Sequence, residues 1–321
     1  MGVLNPHLSS ANQPPPSAEP QVWARDEWMG RITGHRARVV ERAAAFVDRR
    51  SRGQKHPVHD FLFTYYSFSP GKLMRWVPPM GQILDGVTEA DLDANDWRDR
   101  REVVFEAGRL HTADLMPAGA IKLVGWVAEL CDRITARPVR ARCYGLHEWA
   151  MVLGQEVEEV RHQGYELRMS PAELKAFVES QAVCCTHYDA FRFFTPAARP
   201  LNAFGPTLET RLEMEQAGCL HANMDLYKWA YKLWPWVGSD IVGECFELAV
   251  RARELDMRAS PYELRHLGYD PIRIETEGGR EEYEQAQRDL AARASPLRMA
   301  LREACNRLRL MKVVYDGAGS C

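Results

Sequence analysis

Apolar positions recurring every three or four residues run through most of the chain and predict one helix after another. The clearest case is "GCLHANMDLYKWAYKLWPW", residues 218–236. Read as a helix, it has one stripe of Leu220, Met224, Tyr227, Tyr231 and Trp234 and a second of Leu226, Trp229, Ala230 and Leu233. What remains is a narrow polar stripe: His221, Asp225, Lys228 and Lys232. A helix apolar nearly all round is buried on several sides. Its polar stripe is then either a solvated edge with an Asp225–Lys228 pair or the wall of an internal site.

The same pattern predicts a long basic helix over 22–52 and core helices over 118–135, 239–257 and 279–310. Shorter helices are expected at 144–154, at 208–216 and at 171–181, the last behind Ser170–Pro171. "HPVHDFLFTYYSF" (56–68) reads as helix or extended chain, and 182–194 as strand or helix. Residues 86–112 predict turns and short helices, and three prolines make 195–207 a loop. The expected fold is mainly α, a single multi-helical domain over 22–312 with few or no strands. A disordered Pro-rich tail is expected at 1–21 and a C-terminal tail at 313–321.

Composition narrows the class. The chain has 321 residues, 46% apolar, enough for a large core, and a net charge of −3. That balance does not announce a nucleic-acid binder. Yet residues 24–55 carry nine Lys/Arg against four acids, and 285–312 seven against two. Such helices either track phosphates or are ordinary solvated faces. The eight cysteines include no Cys-x-x-Cys pair, so no zinc-ribbon spacing. With no signal pattern and no apolar run of bilayer length, the chain is read as cytoplasmic with reduced thiols and no membrane partner.

Histidines supply the candidate chemistry. Seven of the ten lie near carboxylates or aromatic rings: His56, His59, His147, His162, His187, His221 and His266. Histidine is both the commonest metal ligand and the acid–base group near neutral pH. Glu159-x-x-His162 and Glu263-x-x-His266 match a di-iron spacing, but both sit in polar, turn-flanked segments. His187 and Asp189 share a face only on a strand. No Gly-x-Ser-x-Gly or His-Glu-x-x-His motif occurs.

"HPVHDFLFTYYSFSPGKLMRW", "CYGLHEWAMV", "THYDAFRFFTPAARPLN", "GCLHANMDLYKWAYKL" and "CFELAVRARELDMRASPYEL" together resemble a bacterial family commonly labelled 3-methyladenine DNA glycosylase, from about His56 to Tyr283. The resemblance implies DNA as partner, excision of alkylated purines and no cofactor. The fold implied is neither the helix-hairpin-helix type, whose Leu-Pro-Gly-Val-Gly-like hairpin is approached only by "VPPMG" (77–81) without its first glycine, nor a helical-repeat type. Such chemistry needs aromatic rings to stack a flipped base and a carboxylate for water or the developing oxocarbenium charge. Tyr65, Tyr66, Trp149, Tyr188, Tyr227 and Trp229 are the candidate rings. Asp225 and Asp189 are the candidate catalytic carboxylates, His221 and His187 their acid–base partners, and Arg192 and Arg199 candidate phosphate ligands. The competing expectation is a metal-dependent hydrolase or oxygenase acting on a small molecule. It would bind iron, manganese or zinc through His187, Asp189, His221 and Asp225, with His147 and Glu148. A non-catalytic helical binding protein is the third.

Overall fold

The computed structural model describes residues 20–155, 165–311 and 314–315. The chain opens with β1 (Gln21–Trp23) and α1 (Arg25–Ser51), followed by α2 (Phe61–Thr64), α3 (Pro70–Met74), β2 (Gln82–Leu84) and α4 (Glu89–Ala94). Then come β3 (Val103–Glu106), β4 (Arg109–Thr112), β5 (Leu115–Met116), α5 (Ala118–Ala136), α6 (Leu146–Ala150), α7 (Pro171–Glu179) and α8 (Tyr188–Phe191). The last part holds α9 (Arg211–Met214), α10 (Leu220–Lys232), α11 (Ser239–Ala259), α12 (Glu277–Leu310) and β6 (Val314–Tyr315). The fold is mainly α, as the periodicity predicts.

Helix α1 buries Trp28, Ile32, His35, Val39, Ala43 and Phe46, one residue per turn. Asp26 and Glu27 in its first turn and Arg49 and Arg50 in its last suit the helix dipole. Helices α10 and α11 form the centre: α10 packs on α11 and α12, and α11 also on α1 and α12, while α5 lies along α12. Polar groups on α10 and α11 are therefore carried into the interior. None of the described helices is long and apolar enough to cross a membrane.

Strands add what the helical pattern hides. A small sheet runs β1-β2-β4-β3, with β1 parallel to β2 and β3–β4 a hairpin. The expectation of only turns and short helices over 86–112 is thus corrected. Val103, Val104 and Phe105 are good strand formers, and Ala107 and Gly108 both take positive φ in the turn. The expected disordered tail is corrected at its inner end, where Gln21 pairs with Gln82; within the C-terminal tail, Val314–Tyr315 lies parallel to Leu115–Met116. Residues 1–19, and Glu159 with His162, lie outside the described residues. In the ambiguous segment, Val183 makes a single bridge to Asn202 and α8 follows His187.

Candidate functional site

The site is built where α6, α8, α10 and α11 converge. Gly145, with φ +71°, starts α6, and a side chain there would press on Ala259 of α11 at 3.1 Å. That close approach seats His147 against α11. His147 Nε2 lies 2.7 Å from Asp256 Oδ1 and its Nδ1 3.5 Å from Cys143 Sγ. One turn earlier on α11, Arg253 donates to Asp256 Oδ2 at 3.0 Å and to Glu148 Oε1 at 2.9 Å. His147, Glu148, Arg253 and Asp256 are all buried.

His221, in the first turn of α10, completes this group. Its ring stands edge-on to His147, centroids 4.5 Å apart, and its Nε2 is 4.0 Å from Asp256 Oδ2. One donor atom from each of His147, His221 and Asp256 lies within 4.8 Å of the others. Burial, and next the neighbouring His147, push His221 well below the ordinary histidine value. Burial also pulls on His147, but the carboxylate of Asp256 outweighs it and raises the imidazole. His147 and His221 line a cavity of about 490 Å³ whose wall also carries Cys143, Cys184, Cys185 and Cys219.

A second cluster adjoins the first through a ring stack of His187 on His221, centroids 5.4 Å apart. His187 Nε2 lies 3.3 Å from Asp225 Oδ2 and 3.5 Å from Glu215 Oε1. Asp225 also accepts from Tyr66 Oη at 3.2 Å and from Lys228 Nζ at 3.1 Å. Lys228 reaches on to Asp189 at 2.5 Å, where Arg211 binds the same oxygen. Burial works to raise the Asp225 carboxyl, yet Lys228, His187 and Arg211 together hold it below the usual carboxylate range. Glu215 is fully buried and burial raises it; neither of its oxygens has a hydrogen-bond partner.

The polar stripe of α10 is therefore divided. His221 and Asp225 belong to adjacent clusters, and Asp225–Lys228 is an inward ion pair, not a solvated edge. Of the expected group His187, Asp189, His221 and Asp225, the two aspartates meet at Lys228 and His187 contacts Asp225, whereas His221 stacks on His187 but turns to His147 and Asp256. Glu148 turns to Arg253. Asp256, Glu215, Arg211 and Cys143 escaped sequence reading. The signal for Asp256 is a charged pair, Arg253-x-x-Asp256, on an otherwise apolar helix face; the signal for Cys143 is its place one turn before His147.

The expected stacking rings are mostly core. Trp149 and Tyr227 have no exposed surface, and Tyr66 and Trp229 are buried. Tyr66 spends its hydroxyl on Asp225, and Trp229 packs edge-on to Trp126 at 4.8 Å. Tyr65 and Tyr188 are half-buried; Tyr65 stacks on Phe61 at 4.8 Å. Arg192 reaches Tyr65 Oη, and Arg199 braces the carbonyls of Phe194 and Arg192. The basic helix α1 is laced with ion pairs, including Arg25–Asp91, Arg31–Asp240 and Arg49–Asp60. Glu263 pairs with Arg265 and His266 stacks on Tyr165, so they do not converge. His59 binds Glu254, and Asp60 holds Arg49. Compared with family models, with curated proteins and with solved structures, the chain gives no match.

Proposed function

We propose that the protein is a metal-dependent enzyme acting on a small molecule, with the cation held by His147, His221 and Asp256. One observation carries this reading: three donors from three different helices meet within 4.8 Å, and the two imidazoles among them line a cavity of substrate size. Two imidazoles and a carboxylate suit iron(II), manganese(II) or zinc(II). The environment of His221 favours the neutral ring, which keeps a lone pair for a cation. Arg253 fixes Asp256, and Cys143 sits against the far nitrogen of His147, the kind of surrounding support that orients metal ligands. A cation held there supplies Lewis-acid activation of water or substrate. The chain's own part is to orient the ligands, to bury them from bulk water, and to brace His221 from behind with the His187–Asp225 pair.

Calorimetric titration of chelator-treated protein with manganese(II) and zinc(II) tests this. The expected result is one ion per chain, with affinity weakened at least about 100-fold in Asp256→Asn. Equal affinity in wild type and variant would contradict the assignment.

The family resemblance supports a second reading, excision of 3-methyladenine from DNA. It places Asp225 at the centre, so Asp225→Asn must abolish base release from alkylated DNA. Trp149, Tyr227, Tyr66 and Trp229 would have to leave the core to stack a base, which weighs against it. The absence of base release by the wild-type protein would end this reading.

A further inference from the structure

The cavity has a marked charge bias that the metal group does not require. Arg140, Arg142 and Arg288 line it, and among the described residues its wall contains no carboxylate. Arg288 is engaged by Glu284. Arg140 and Arg142 make no ion pair among the described residues. Both guanidinium charges act on Cys184 on the same wall: burial, the larger effect, raises that thiol, and Arg142 and Arg140 lower it. Both arginines line the cavity together with Cys184, and the Arg140 guanidinium stands over the Phe204 ring, 5.9 Å from its centroid.

Their backbone is fixed in advance. Gln216 clamps Arg140 from both sides, accepting from its N–H at 3.0 Å and donating to its carbonyl at 3.1 Å. The Arg142 carbonyl accepts from Cys184 Sγ at 3.1 Å. Gly218 lets this segment pass directly over the start of α10, since any side chain there would collide with Arg140. Helix α10 starts beside it at Leu220, with the Cys219 sulfur against the N–H groups of His221 and Ala222, and Cys219, Leu220 and His221 face the cavity. Two further wall residues are buried with polar atoms that lack partners, the Tyr283 hydroxyl and the Gln287 amide oxygen.

We propose that this cavity binds a small organic anion, with its carboxylate or phosphate met by Arg140 and Arg142 while Tyr283 and Gln287 contact its polar body. Guanidinium forks match either oxyanion in bidentate fashion, and a cavity of about 490 Å³ admits a metabolite rather than a polymer. This deepens the metal-enzyme reading by naming the substrate class, and it rests on that reading for the site.

Alkylation of Cys184 by iodoacetate and by iodoacetamide, followed by peptide mass spectrometry, tests it. The two reagents differ in charge and hardly in size. The expected rate ratio, iodoacetate over iodoacetamide, exceeds that of glutathione by about tenfold at low salt and falls as salt is added. It returns to the glutathione value in the Arg140→Gln/Arg142→Gln protein. Millimolar succinate slows iodoacetamide labelling and succinamide does not. A ratio equal to that of glutathione in the wild-type protein overturns the inference, as does equal protection by succinate and succinamide. The salt dependence of the wild type decides the matter if the double variant does not fold. Metal content read on the same samples separates the two ideas. Anion preference in a protein that takes up no metal removes the metal reading alone, and metal without the preference removes this one alone.

Discussion

At the scale of single residues, the interior is ruled by which buried charges have partners. Asp225 holds Tyr66, Lys228 and His187 at once. Asp225→Ala leaves Lys228 with one carboxylate fewer in a buried setting and should cost roughly 3–5 kcal/mol, the range for breaking a buried pair. Urea unfolding measures it, and a loss below ~1 kcal/mol would show the cluster to be open to water. His56 gives a pH-dependent counterpart. Its Nδ1 accepts from the N–H groups of Val58 and His59. Burial, then the charges of His59 and Arg49, hold it down at about 4. The unfolded chain, with histidine near ~6.5, therefore binds the extra proton between those values. Its contribution to stability is complete above ~6.5 and lost as the pH falls toward 4. His56→Gln should flatten that part of the acid slope in urea midpoints, and an unchanged slope would contradict the assignment.

Among the elements, α10 and α11 decide the site because they form the centre of the packing. Gly218 is the joint between α10 and the arginine-bearing segment before α6. Gly218→Ala should destabilise by about 1–3 kcal/mol and abolish the iodoacetate preference at Cys184. A fully stable variant that kept the preference would show that the joint is not needed. Helix periodicity made these elements legible in the sequence, and it made the burial of α10 legible too, because apolar residues on two faces leave little room for solvent. It did not say which histidines meet. His147 and Asp256 are 109 residues apart, and only the packing of α6 on α11 joins them. The hairpin at 103–112 was hidden for a different reason. Its strands are four residues each, too short for alternation to stand out against helical spacing. Asp256 was overlooked because one of the five acids on α11 looks the same in sequence whether it faces water or a buried histidine.

For the whole molecule, the arrangement is a helical core with two linked ionisable clusters at its centre, one of them open to a cavity with a positive wall. A cation bound only by the folded chain stabilises it by mass action, about 4 kcal/mol at a thousandfold excess over the dissociation constant. Chelation should therefore lower the melting temperature reversibly. Whether His147, His221 and Asp256 hold that cation is decided by elemental analysis of the untagged protein as purified, run beside His221→Ala and His187→Ala. The expected result is about one iron, manganese or zinc ion per chain in the wild type and in His187→Ala, and none in His221→Ala. A metal-free wild type that also takes up no ion on titration, or metal kept by His221→Ala and lost by His187→Ala, would contradict it.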